Sequence, residues 1–270
     1  MNHIFSLGGK TSIVTGAAGY FGDSFCRALL DFGCKVVLMG RGDKIYNKAL
    51  EYSSIYGDDM VFYKLVDFYN DTQFQETLKE IVSEHEVDIL VNNAYEFGPN
   101  TGFAPDGRLA TIPKQKFMRS LESGVWWPVL ATQVVGEHMK ERKAGSIINI
   151  SSMYGIVSPS PHLYEGTTSF NPASYGAAKA ALMYLTKYTA AWLGENGVRC
   201  NAIAPGAFPN LDSTTNAPDP KILERLNRST VLGRTGHSSE LQGVLVFLAS
   251  DASSYVTGET ISVDGGWITT

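Results

Sequence analysis

Cysteine is scarce. The 270 residues hold three, Cys26, Cys34 and Cys200, far apart and with no CxxC pair. This excludes a disulfide framework and a thiolate metal site, and fits a reducing compartment. Long apolar runs are missing as well: no window approaches the roughly 18 apolar residues that mark a membrane-spanning helix. The N-terminal MNHIFSLGGKTSIVTG shows no basic segment followed by an apolar run, so no secretory signal is read and a cytoplasmic location is expected. Basic residues do not dominate. The formal net charge is −5 and no basic stripe is visible, which argues against nucleic-acid partners. The five histidines, His3, His85, His138, His162 and His237, have no HExxH-type spacing. A metal site, and with it a metal hydrolase, has little support.

What is present is an alternation. Short β-branched runs at 11–16, 35–40, 60–67, 87–94, 145–152, 198–205 and 259–266 read as strands. Helical patterns at 19–32, 72–84, 114–140, 174–194 and 239–250 lie between them. Pro128 falls inside the long central helix as a candidate kink. Continuous apolar strands with intervening helices predict an α/β fold, a doubly wound parallel sheet of seven strands covered on both faces. The chain reads as one domain over 1–270, with long loops at 153–173 and 206–230 as candidate substrate loops or lids.

Two stretches stand out. TGAAGYFG (15–22) follows the first strand and opens the first helix. Gly16, Gly19 and Gly22 there allow a tight turn and the approach of a pyrophosphate to the helix N-terminus; a plain turn is the alternative. In ASYGAAKAA (173–181), Tyr175 and Lys179 stand one helical turn apart among very small residues. They share a face, and a neighbouring ammonium lowers the pKa of a phenol. That pairing suits proton transfer, although a half-buried tyrosine beside a solvated lysine on a surface helix would look the same. Thr15, Asn92, Ser152, Tyr175 and Pro205 all fall at or near strand C-termini, where open α/β sheets bind ligands.

Together TGAAGYFG, NNA (92–94), the NISS strand end (149–152) with YGAAK (175–179), and DGG (264–266) resemble the short-chain dehydrogenase/reductase family over Lys10 to Trp267. The resemblance implies a Rossmann-type fold, a nicotinamide cofactor and hydride exchange between alcohol and carbonyl. It makes Tyr175 the proton donor or acceptor. Lys179 then holds the nicotinamide ribose and lowers the Tyr175 pKa, and Ser152 orients and polarises the carbonyl. The cofactor contacts it implies are Gly16, Ala18, Gly19, Tyr20, Phe21, Arg41, Asp67, Phe68, Asn93, Ala94, Tyr95, Tyr175, Lys179, Pro205, Gly206 and Phe208. In this reading the small residues of 173–181 let the nicotinamide lie against the helix. The family's habits also imply a homodimer or homotetramer built on the central and Tyr-bearing helices, where Trp126 and Trp127 are candidate interface or core residues.

Several positions depart from the family pattern. The second glycine falls at Gly19, where single-domain members have it at the position of Tyr20. Tyr95 replaces the last glycine of NNAG, which puts an aromatic ring near the nicotinamide or the substrate mouth unless it simply packs the loop. Gly124 aligns with an asparagine that in many members supports the lysine through water. Ser152 and Tyr175 are 23 residues apart, a longer interval than is usual. The extra residues lie in 158–174, as a loop over the site or a subunit contact. Tyr95, Met153, His162 and Tyr164 are candidate substrate contacts. Similar long loops occur in relatives linked to surface-sugar and flagellin-glycan modification, so a sugar derivative is the first substrate expected. At the end of the second strand, Gly40 occupies the position of the acid that marks NAD, and Arg41 follows. This favours NADP(H) over NAD(H), with Asp43 as a candidate diol partner if NAD binds instead. The reading is an NADP(H)-dependent oxidoreductase of a small polar substrate. A catalytically weak relic that senses NADP(H) or serves as a scaffold is the alternative.

Overall fold

The computed structural model describes residues 4–211 and 218–269. Seven strands form one sheet: β1 (Thr11–Thr15), β2 (Lys35–Gly40), β3 (Val61–Leu65), β4 (Ile89–Asn92), β5 (Gly145–Ile150), β6 (Val198–Pro205) and β7 (Thr260–Val263). Their order is β3-β2-β1-β4-β5-β6-β7, and every pairing is parallel. Side chains alternate across the sheet and build two cores. Val14, Val36, Leu38, Ile148 and Ile203 pack toward α1 (Tyr20–Asp31), α2 (Asp43–Tyr56) and α8 (Gln242–Ala249). Ile13, Val37, Met39 and Ile147 pack on the other face toward α3 (Asp71–Glu84), α5 (Trp127–Arg142) and α6 (Ala173–Leu193). In α3 the apolar face is Phe74, Leu78 and Ile81, and the Asn70 side chain caps the helix by accepting from the Gln73 N–H at 3.1 Å. Among the described residues no helix is long and apolar enough to cross a membrane.

The strand order turns back between β1 and β4, which places a crevice beyond their C-terminal ends. Thr15 pins this point. Its hydroxyl oxygen accepts the N–H groups of Asn93 and Ala94, each at 3.0 Å.

The elements differ from expectation in five places. The central helix is two helices, α4 (Lys114–Leu121) and α5, joined by a wide π turn over Glu122–Trp126. The departure is at this turn. Pro128 stands directly after it in a backbone that stays helical throughout; it has no N–H to give the Gly124 carbonyl, so the irregularity expected at the proline is taken up by the widened turn before it. Helix α2 was not anticipated, and α7 (Pro220–Arg228) falls in a stretch read as irregular. The last helix begins later than expected, because Ser238–Leu241 form a 3-10 turn ahead of α8. The last strand stops at Val263, since Gly265 and Gly266 adopt left-handed φ values of 64° and 84° and turn the chain.

Candidate active site

Strand β5 delivers Ser152 and helix α6 delivers Tyr175 and Lys179 to one buried spot. Ser152 is extended and caps a short 3-10 turn, its Oγ accepting the Tyr154 N–H at 3.2 Å. Pro172 precedes α6, so Tyr175 and Lys179 occupy its first two turns on the inward face. The small residues around them have a definite use. A Cβ on Gly176 would lie 2.9 Å from the Tyr154 carbonyl oxygen, and one on Gly155 would lie 2.8 Å from the Lys179 backbone. The Ser151 hydroxyl also donates to the Lys179 carbonyl at 2.8 Å. The glycines therefore let the Ser152 turn dock directly on the helix that carries Tyr175. This close approach accounts for Gly176 and Gly155.

Burial opposes charge on both groups. It pushes the Tyr175 phenol up to about 12, against the Ser152 hydroxyl, which hydrogen-bonds the phenolate, while nearby Tyr164 pushes the same way as burial. It brings Lys179 down to about 7. The Lys179 ammonium donates to the Ile150 carbonyl at 2.7 Å. Tyr175 is caged by the rings of Tyr95, Phe97 and Phe103, with centroids at 5.2, 5.6 and 5.7 Å.

The glycine-rich turn lies at the switch point. Gly16 has φ 67°, and a Cβ there would come 3.0 Å from the Ala94 Cα. A Cβ on Gly22 would come 2.2 Å from the Gly16 carbonyl oxygen, so the turn and helix α1 pack backbone to backbone. Gly19 is the N-cap of α1 and offers no side-chain hydrogen bond. The first amides of the helix are thus left to an anionic group, and this suits a pyrophosphate. Tyr20 stands where the usual glycine is absent. Its hydroxyl donates to the Pro209 carbonyl at 3.4 Å and accepts the Ser238 N–H at 3.3 Å, tying the turn to the chain after β6. Ala18 and Phe21 follow the same turn, and Phe21 packs edge-on against Phe208 at 5.8 Å. Phe208 in turn fills the space above Gly236.

Around the crevice, Asn93 donates its side chain to the carbonyls of Thr15 and Gly16 at 2.9 and 3.1 Å. Asp67 is exposed just after β3, while the Phe68 side chain is core, edge-on to Phe74 and tilted against Trp127. Only the Phe68 backbone is free to meet a ligand. Pro205 ends β6. Gly206 passes so near Asp264 that a Cβ would lie 2.5 Å from its Cα, and the Asp264 carboxylate accepts the N–H groups of Gly266 and Ile268 at 2.9 and 3.0 Å. The DGG motif therefore anchors the C-terminal turn beside the crevice. At the end of β2, Gly40 is pressed against Ile45, where a Cβ would come within 2.7 Å of the side chain. No acid fits there without displacement, and Arg41 beside it is exposed.

The substrate candidates divide. Met153 is buried with Tyr154, Tyr175 and Ala207. Tyr164 reaches the same cluster, its hydroxyl 3.3 Å from that of Tyr154. His162 does not: its side chain is 89% exposed and lies 3.8 Å from Glu165. Tyr95 turns its hydroxyl away from the mouth, onto Ser120 Oγ at 2.7 Å. Tyr154 was not singled out from the sequence; its place two residues after Ser152 was the available signal. The 158–172 loop borders a cavity of about 1020 Å³ lined by Arg108, Tyr154, His162, Tyr164 and Phe170. This cavity adjoins the Tyr154–Tyr164 pair but does not include Ser152, Tyr175 or Lys179. Arg225 on α7 ties the loop to the chain after β6 by donating to the Leu163 and Glu165 carbonyls at 3.1 and 2.6 Å. Part of the expected lid, residues 212–217, lies outside the described residues.

Known proteins share the chain's sequence and fold over nearly its whole length. The family model for Enoyl-(Acyl carrier protein) reductase matches residues 16–268. The 2-dehydro-3-deoxy-D-gluconate 5-dehydrogenase of Bacillus subtilis (strain 168) is 29% identical over 99% of this chain and 98% of its own. The 7alpha-hydroxysteroid dehydrogenase of Bacteroides fragilis is 30% identical over 95% of this chain and 93% of its own. The crystal structure of a gluconate 5-dehydrogenase from Burkholderia cenocepacia J2315, in complex with NADP and tartrate, superposes with a TM-score of 0.87 at 27% identity, covering 99% of this chain and 98% of that one. With the family model spanning nearly all of a seven-stranded parallel sheet, the chain is a member of the short-chain dehydrogenase/reductase family of oxidoreductases.

Proposed function

We propose that the protein is an NADP(H)-dependent oxidoreductase that interconverts a hydroxyl and a carbonyl on a small, polar, sugar-derived substrate, with Tyr175 as the acid/base. The observation that carries this is the convergence of Ser152, Tyr175 and Lys179 in one buried spot beside the crevice. The nicotinamide, when bound, supplies or takes the hydride. The residues that fit the cofactor are Gly16, Gly19 and the open amides of α1 for the pyrophosphate, and Arg41 for a 2′-phosphate. Lys179 fits the ribose hydroxyls.

Tyr175 gives its proton to the carbonyl oxygen in reduction and takes it back in oxidation. With its phenol held up to about 12, Tyr175 is protonated at neutral pH and meets a carbonyl as a donor. The Ser152 hydroxyl hydrogen-bonds the same oxygen and bears part of its developing charge. The Lys179 ammonium favours the phenolate whenever the proton has left. The aromatic cage keeps water away from this exchange. The hydroxyls of Tyr154 and Tyr164 beside Tyr175 suit a substrate with further hydroxyl groups. The gluconate and 2-dehydro-3-deoxy-D-gluconate dehydrogenases among the relatives favour a sugar acid. The likeness of the long loop to members acting on surface-sugar and flagellin-glycan precursors points to the same polyhydroxylated class.

The test is a screen of keto-sugar acids with NADPH, followed by Tyr175→Phe on whichever substrate turns over. Loss of turnover of about 100-fold or more is expected from removing the acid/base; undiminished turnover would refute the mechanism. We also read Tyr184, Tyr188 and Trp192, exposed along one face of α6, as part of a homodimer or homotetramer contact. A monomer by light scattering at micromolar concentration overturns that reading.

A further inference from the structure

Lys179 is a buried ammonium with little to hold it. Among the described residues its only hydrogen bond is to the Ile150 carbonyl, and no carboxylate lies within ion-pair distance. What faces it instead is a ring. The Lys179 Nζ lies 5.1 Å from the centroid of Tyr95, nearer than the 5.7 Å to Tyr175.

The Tyr95 ring is there because Gly124 leaves room for it. Gly124 sits in the wide turn between α4 and α5, and a Cβ at this position would come 2.8 Å from Ala178 Cβ and 3.2 Å from Tyr95 Cε2. The ring is also held from every side. Its hydroxyl bonds Ser120 Oγ at 2.7 Å. Its edge meets Phe97 at 4.8 Å and Tyr175 at 5.2 Å. The next residue, Glu96, is fixed by Arg119 Nε at 2.7 Å, by the Tyr69 hydroxyl, and through its carbonyl by Thr101 Oγ1 at 2.7 Å. A fixed aromatic face within about 6 Å of a desolvated ammonium stabilises the charged form.

We propose that Tyr95 is a positioning residue for Lys179: its ring face, admitted by Gly124, favours the charged form of the buried amine and steers it toward Tyr175. The phenol of Tyr95 takes no part, being spent on Ser120, and burial keeps it protonated. The titratable groups around the pair are Tyr175 from α6 and Tyr95 with Glu96 after β4. The consequence for catalysis rests on the reading of Lys179 as the group that favours the Tyr175 phenolate, but the effect on Lys179 itself does not.

The test reads the Lys179 charge without turnover. The full-length protein is labelled with 13Cε-lysine, and its spectra are followed against pH, with Lys179→Met identifying the resonance. Tyr95→Phe keeps the ring and should titrate as the wild type does. Tyr95→Leu keeps apolar bulk without the ring face and should move the Lys179 titration down by about one pH unit or more. An unmoved titration in Tyr95→Leu, or an equal fall in Tyr95→Phe, overturns the proposal. Should Tyr95→Leu not fold, phenylalanine and 3,4,5-trifluorophenylalanine placed at position 95 keep the shape and weaken the face; equal titrations there overturn it as well. If Lys179 shifts as expected while the pH profile of turnover does not, the positioning of Lys179 stands and its catalytic role falls.

Discussion

Replacing Lys179 by methionine should change stability in a way that depends on pH. Burial brings this lysine from the ordinary 10.5 down to about 7. At about 1.4 kcal/mol per pH unit, that fall corresponds to about 5 kcal/mol of penalty on the charged form. The folded protein binds fewer protons than the unfolded chain between pH 7 and 10.5. Wild-type stability from this group is therefore lowest below pH 7 and rises with pH through that window. Methionine keeps the bulk and has nothing to titrate. Its loss of the hydrogen bond to the Ile150 carbonyl costs about 1–3 kcal/mol at every pH, a constant offset. The stability of Lys179→Met relative to wild type should then be greatest at pH 6 and fall by about 3–4 kcal/mol by pH 10, the lower figure allowing for the Tyr95 ring. Urea unfolding of both proteins at pH 6, 8 and 10 measures this, and other titrating groups cancel in the difference. Parallel pH profiles would refute the reasoning, because they would mean that Lys179 carries the same charge folded and unfolded.

Arg41→Ala should weaken NADPH binding by about 10- to 100-fold, the worth of charge-assisted hydrogen bonds to a phosphate, and leave NADH unchanged. Fluorescence titration with each cofactor checks it, and an equal loss for both would remove Arg41 from the 2′-phosphate site. Arg225→Ala should release α7 from the 158–172 loop, since it removes the donor to the Leu163 and Glu165 carbonyls. Faster proteolysis within that loop and a KM raised by about 10-fold at little cost in kcat are expected; an unchanged cleavage rate would sink the tie.

The strands and the glycine-rich turn were legible because burial on both faces leaves a plain mark: β1, β2 and β5 carry Val and Ile on both faces and are buried along nearly their whole length. Helix α2 escaped because its apolar face is thin. Only Ile45, Ala49 and Tyr52 are buried, and polar residues surround them. Helix α7 buries Ile222 alone and lies over the site, so no core-facing stripe announced it. In the central helix both Pro128 and Gly124 stood out, but the widened turn between α4 and α5 that joins them did not. The proline removes a helical hydrogen bond to Gly124, and the glycine's missing Cβ lets Ala178 and Tyr95 come close, 2.8 and 3.2 Å from where that atom would lie; neither effect shows in the periodicity. The catalytic candidates were legible because Ser152, Tyr175 and Lys179 fall at strand-end and helix-face positions. Tyr154 and the cage residues Phe97 and Phe103 were not, since they come from loops whose paths periodicity does not give.

The electrostatics of the site were the least legible part. Spacing alone says that Lys179 lowers the Tyr175 pKa, but burial works on the two groups in opposite directions, raising the phenol to about 12 and lowering the ammonium to about 7. Between those values the favoured state is the uncharged pair. A carbonyl arriving at Ser152 then meets a protonated Tyr175, which is the state reduction requires. Oxidation requires the phenolate, and the phenolate requires a charged Lys179. The face of Tyr95 favours that charge without adding a titrating carboxylate to the site. The balance between the two directions therefore rests on a ring admitted by a glycine in a neighbouring turn, which is why Gly124 and Tyr95 are best read together.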